Sequence, residues 1–165
     1  MIAHDLTVYR ELVDLIPDRP PPPLISQYVE GRRNLPLNTP FPGLWRNARA
    51  PYLVEIMDCM SPYSPVQRVA VMKPRKVGLT TAAENVVAYW LDANPTEILY
   101  VTASDDLALD WATKKLPPLI DSLGFRHKIT ASTESAKSRR SGDSTYRKEV
   151  VGGALDITSA RSLMA

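Results

Sequence analysis

The residues best suited to chemistry stand together as Lys73-Pro74-Arg75-Lys76-Val77-Gly78-Leu79-Thr80-Thr81. A valine-rich apolar run at residues 66–72 precedes them, and a helical pattern over residues 80–92 follows. A strand feeding a tight loop that opens a helix lets backbone amides and the helix N-terminus converge on phosphate. The usual form of such a loop is G-x-x-x-x-G-K-[ST]. Gly78 takes the second glycine and Thr80 the hydroxyl residue that faces Mg²⁺. Lys73 stands where the first glycine belongs, and Leu79 stands where the lysine belongs. The positive charge that a triphosphate needs is present inside the loop all the same. Lys73, directly after the apolar run, can turn its amine back across the loop. Arg75 is placed to sense a γ-phosphate, and Lys76 adds a third cation. The same residue types also suit a solvated basic turn between a strand and a helix, and at this point both readings stand.

The elements around the loop must hold it in place. A second apolar strand is expected over residues 98–102. Ser104-Asp105-Asp106 then offers an N-cap for a helix running to about residue 122, bent at Pro117-Pro118. Further strands are expected over residues 150–158, around Gly152-Gly153. Strand, loop, helix, strand, helix is the opening of a parallel sheet, so the fold class is α/β with flanking helices. Upstream, residues 2–16 have the apolar spacing of a short amphipathic helix, which the run Pro20 to Pro23 ends. A short helix is expected over residues 25–32, then a turn-rich stretch with Pro36, Pro40 and Pro42, then a helix from Pro51 to about residue 60. This divides the chain into an N-terminal helical arm, residues 1–44, and an α/β portion, residues 45–165.

Composition narrows the alternatives. A chain of 165 residues with 23% charged residues and a net charge of +2 is ordinary for one globular domain. The single cysteine, Cys59, rules out an intramolecular disulfide and reads as a helix-packing residue suited to a reducing cytoplasm. His4 and His127 lie far apart, without zinc-ligand spacing. No apolar run reaches the roughly 20 residues of a membrane span. Positive charge gathers between Arg126 and Arg161, where Arg139, Arg140, Arg147 and Lys148 are candidates for contacting DNA phosphates. The aromatics there are only Phe125 and Tyr146, thin for a base-stacking surface, and a solvated loop suits the same stretch.

The block Pro42-Gly43-Leu44-Trp45-Arg46-Asn47-Ala48-Arg49-Ala50-Pro51-Tyr52, followed by Glu55-Ile56-Met57-Asp58, resembles the start of the ATPase domain in lambda-type phage terminase large subunits, the GpA family. Lys73 through Thr80 is similar to that family's lysine-first phosphate loop, and Asp92-Ala93-Asn94-Pro95, Ile98-Leu99-Tyr100-Val101, Trp111 and Leu116-Pro117 keep its order. The resemblance spans roughly residues 25–165. It implies a P-loop NTPase fold of RecA/ASCE-like type, with ATP and Mg²⁺ as cofactors. Lys73 is then the substitute phosphate-loop lysine, with Arg75 or Lys76 at the γ-phosphate. Val77, Gly78, Leu79 and Thr81 line the loop, and Thr80 serves Mg²⁺. Tyr52, with Trp45 beside it, is the adenine-side contact, although both aromatics also suit local core packing.

The implied activity is the ATP-driven packaging of double-stranded viral DNA into procapsids, in the host cytoplasm. The implied partners are the small terminase subunit, the portal or procapsid, and further copies of the chain in a ring. An arm docked on the small subunit, or a DNA-binding or assembly fragment without enzyme activity, is the rival expectation. ATPases of this kind need a strand ending in an acidic pair. Asp105-Asp106 lies too early, and Asp156 lacks an adjacent glutamate. The chain is therefore expected to stop one strand short, without the family's nuclease domain. It should bind nucleotide, hydrolyse it poorly and leave DNA uncut.

Overall fold

One 14-residue helix, Leu79–Asp92, organises the molecule because it is apolar on two flanks. In the computed structural model, which describes residues 21–129 and 144–162, Val87, Ala88 and Leu91 pack toward a sheet. Ala82 and Tyr89 pack the other way, against the segment that precedes the loop. In chain order the elements are α1 (Ile25–Val29), β1 (Asn34–Leu35), β2 (Gly43–Leu44), α2 (Tyr52–Asp58), α3 (Leu79–Asp92), β3 (Glu97–Thr102), α4 (Asp105–Asp110), α5 (Leu116–Leu123), β4 (Arg147–Val150) and β5 (Gly153–Ser159). The helix expected over residues 2–16 lies outside the described residues, as do Arg139 and Arg140.

The sheet has the order β3-β5-β4. β3 and β5 are parallel, in register from Glu97 opposite Ala154 to Thr102 opposite Ser159. β4 and β5 form an antiparallel hairpin. The expected parallel sheet is thus a mixed one. Gly153 permits the close pairing, since a Cβ there would stand 2.4 Å from the Thr96 backbone. Helices cover one face of the sheet: Leu155 and Ile157, with Ile98 and Tyr100 packed alongside, meet Trp111, Leu116 and Ile120. On β3 the alternate residues Leu99 and Val101 remain exposed, so this apolar strand is buried on one face only.

The expected strand at residues 66–72 does not form among the described residues. The segment joins no sheet, and its Val66, Val69, Val71 and Met72 are exposed. Valine-rich sequence favours a pleated surface but cannot supply a neighbour to pair with. Among the described residues β3 is hydrogen-bonded to β5 alone.

The long helix expected after Ser104 begins as anticipated, the Ser104 hydroxyl accepting from the Leu107 amide at 3.4 Å. Its bend takes a specific form, a π-helical turn at Trp111–Lys115 between α4 and α5. Pro117 and Pro118 lack amide donors and clash with the carbonyls four residues back, so the turn before them widens. Tyr100 stacks on the ring of Trp111 at 4.0 Å, fixing the widened turn against the sheet.

Candidate nucleotide site

The loop at residues 73–81 enters α3 through two residues with left-handed backbone. Lys76 has φ +62° and Gly78 has φ +78°. For lysine this conformation is unfavourable and marks local strain in the loop. Gly78 is the N-cap of α3. No side chain caps the helix, and its first turn carries no acidic residue. The amides of Leu79, Thr80 and Thr81 therefore lack intrahelical partners, the Ala82 amide being the first to find one, at the Gly78 carbonyl, and they stand at the positive end of the helix dipole.

Beside this helix start lies a cavity of about 450 Å³. Lys73, Lys76, Val77, Gly78, Leu79, Thr80, Thr81 and Tyr52 all line it, so the structure gathers nearly every expected nucleotide residue on one wall. Arg75 is not on that wall. Tyr52 Oη donates to the Val77 carbonyl at 3.1 Å, tying the start of α2 to the loop. Trp45 reaches the cavity too, but it is 6% exposed, belongs to the core around Leu53 and Met57, and donates its Nε1–H to Asn47 at 2.8 Å. Its packing role is evident.

Arg46, Arg49 and Phe41 also line the cavity, and sequence reasoning had not placed them there. With Lys73 and Lys76, the wall carries four cations and no carboxylate. Arg46 leans on Glu30 at 3.4 Å. For Arg46 and Arg49 the signal was available only as proximity to Tyr52 in the same sequence block, and Phe41 lies just outside that block.

A further unforeseen residue holds the helix start. Arg33, 4% exposed, donates from Nη1 to the Thr81 carbonyl at 2.7 Å and to the Asn85 side chain, and from Nη2 to Glu84. Burial draws the guanidinium below its ordinary pKa, against the pull of Glu84. The segment before the loop is thereby clamped to the first turns of α3.

The donor set suits the anionic end of a nucleotide triphosphate: uncapped amides, two lysines and the Thr80 hydroxyl. For Mg²⁺ the wall offers that hydroxyl as its one oxygen-bearing side chain in the loop's expected metal position. Mg²⁺ commonly completes its shell with phosphate oxygens and water. Among the described residues no cluster of three or more His, Cys, Asp or Glu could hold a metal ion.

Residues 39–165 match the family of the phage terminase large subunit gpA, ATPase domain. The chain belongs to this family. No curated protein and no solved structure matches it at a significant level. The family's role is that of a packaging-motor ATPase, which implies nucleotide use and association with DNA in general terms. The basic stretch offers less. Arg147 is engaged by Glu149 at 2.7 Å and Asp156 at 2.5 Å, Arg126 by Asp121 at 2.5 Å, and Lys128 by Asp92 at 2.5 Å. Lys148 donates to the Ser144 carbonyl at 2.5 Å. No helix is long and apolar enough to cross a membrane among the described residues.

Proposed function

We propose that this chain is the ATP-binding portion of a terminase packaging motor and that residues 73–81 hold the phosphates of Mg²⁺·ATP. The observation that carries the reading is the uncapped start of α3 opening on a cavity with four cations and no carboxylate. Lys73 and Lys76 neutralise the β- and γ-phosphates, the role the missing loop lysine would fill. The amides of Leu79, Thr80 and Thr81 cradle phosphate oxygens, and the Thr80 hydroxyl faces Mg²⁺. Tyr52 flanks the base, its ring held by the Val77 carbonyl. Arg75 lies off the wall, so a role at the γ-phosphate requires the loop to re-form around the ligand. The finer fold assignment, a P-loop NTPase of RecA/ASCE-like type, rests on the loop-to-helix geometry at Gly78.

When bound, Mg²⁺·ATP supplies the transferable phosphoryl group whose hydrolysis a packaging motor couples to moving double-stranded DNA into a procapsid. Efficient hydrolysis also needs a carboxylate to orient water, and the described cavity wall has none. The small terminase subunit, the portal and other copies of the chain, meeting in the host cytoplasm, are the partners this reading assigns.

Titration with a fluorescent ATP analogue in Mg²⁺ tests the site. Lys73→Ala and Thr80→Ala should each weaken binding about tenfold or more, as expected for the loss of a charged or metal-facing contact. Both side chains are exposed, so the variants should keep the wild-type circular dichroism. Binding that neither substitution alters would sink the assignment.

A further inference from the structure

Three polar side chains are buried together at the start of α3: Arg33, Glu84 and Asn85 are 4%, 7% and 0% exposed. Arg33 does not line the cavity. With Glu84 and Thr81 it lines a smaller neighbouring cleft. Taking a guanidinium and a carboxylate out of water is costly, and apolar side chains of similar volume commonly stabilise a fold as well or better. What distinguishes the ion pair is fixed geometry, because the planar fork of arginine engages its acceptors in set directions.

The geometry it fixes reaches across the cavity. Two stretches of chain supply most of the lining. One follows β2 and carries Arg46, Arg49 and Tyr52; the other is the loop with the first turn of α3. The main chain of Arg33 is joined to the first stretch. Its carbonyl accepts from the Trp45 amide at 2.8 Å, and the Gly31 amide donates to the Trp45 carbonyl at 3.1 Å. The side chain of Arg33 is joined to the second, donating to the Thr81 carbonyl at 2.7 Å, to Asn85 and to Glu84. Asn85 in turn contacts α2, its Nδ2 standing 3.4 Å from Met57 Sδ. The Tyr52–Val77 bond also joins the two stretches, but it is exposed and neutral. Such a bond contributes less than buried ones from a charged donor.

We infer that Arg33 is a positioning residue of the nucleotide site. It sets the spacing between the two stretches and the tilt of the first turn of α3, and so the aim of the Leu79, Thr80 and Thr81 amides. This inference rests on the proposed binding of ATP by residues 73–81. Arg33 acts through Thr81 and not on the ligand, and it precedes the segment 39–165 that matches the family. Holding both stretches in place beforehand spares the ordering entropy that looser ones would lose on binding.

The test titrates Mg²⁺·ATP calorimetrically into the wild type, Arg33→Lys and the double variant Arg33→Leu with Glu84→Leu, beside urea unfolding of each. The double variant removes both charges together, so no buried charge is stranded. It should keep most of the wild-type stability yet bind ATP about tenfold more weakly, a split that a purely structural role would not produce. Arg33→Lys keeps a cation opposite Glu84 but offers a point charge in place of the fork. It should lose about threefold or more in affinity with wild-type circular dichroism, and it decides the matter if the double variant does not fold. Wild-type affinity in either folded variant would overturn the positioning role and leave the phosphate site standing. Affinity that falls only in variants that have lost their circular dichroism would overturn it too. If the wild type binds no ATP, the phosphate site fails and the positioning role falls with it.

Discussion

At the scale of single residues, the departures from the usual phosphate loop leave its positive charge in place. Lys73 replaces a glycine and Leu79 a lysine, yet Lys73 and Lys76 both stand on the cavity wall. The Tyr52–Val77 bond is a direct handle on the loop. Tyr52→Phe removes one exposed hydrogen bond and keeps the ring, so urea unfolding should shift by under about 1.5 kcal/mol. ATP affinity should fall about two- to tenfold, because the loop loses a fixed point. An unchanged affinity would mean that the bond does not order the loop for binding. Gly78→Ala acts on the backbone. At φ +78° a side chain costs about 1–2 kcal/mol, and the new Cβ would meet Leu53 Cδ1 at 3.4 Å. Urea denaturation should report that loss, and a neutral result would show that the loop relaxes freely.

Elements explain which features were legible in advance. The start of α3, the strand at β3 and the Ser104 cap follow from local signals: apolar periodicity, a β-branched run and a capping hydroxyl. Residues 66–72 carry the same local signal as β3 and form no strand, because pairing depends on a neighbour that composition does not reveal. Arg33 was invisible for a related reason. Its partners Glu84 and Asn85 lie about fifty residues away, and nothing local marks an arginine that will be buried. The loop residues could be named from a pattern, whereas Phe41, in the β1–β2 connection, and Arg46 and Arg49, in the turn that follows it, reach the cavity only through the fold. Arg33→Leu should destabilise the chain by about 3–5 kcal/mol, since it leaves Glu84 buried without its partner. The double variant Arg33→Leu with Glu84→Leu should recover much of that loss. Failure of the double variant to recover would show that the Thr81 carbonyl bond, rather than the ion pair, sets the stability of the junction.

Across the whole molecule, Asp92 joins distant parts of the chain. Its carboxylate accepts from Tyr28 Oη at 2.6 Å and pairs with Lys128 at 2.5 Å and Arg32 at 3.6 Å. Burial works to raise its pKa, but hydrogen bonds from Lys128 and Tyr28, with the charges of Lys128 and Arg32, hold it below the ordinary carboxylate value. The folded state therefore favours the ionised form. The stabilisation is fully present above the unfolded value of about 4 and is lost as pH falls through the lower folded value. Thermal unfolding from pH 6 downward should show an acid limb that Asp92→Asn flattens, and an unchanged limb would assign the acid sensitivity elsewhere. The uncovered face of β3 has its own consequence. Leu99 and Val101 are exposed on a sheet-edge strand, a pairing hazard. Leu99→Lys should lower concentration-dependent light scattering and leave ATP binding unchanged.

Hydrogen exchange at the amides of residues 77–81, with and without saturating Mg²⁺·ATP, tests the phosphate site most directly. The uncapped amides of Leu79, Thr80 and Thr81 should exchange rapidly in the free protein and slow markedly once phosphate oxygens accept from them. Protection elsewhere, with these amides unchanged while ATP is bound, would contradict the site.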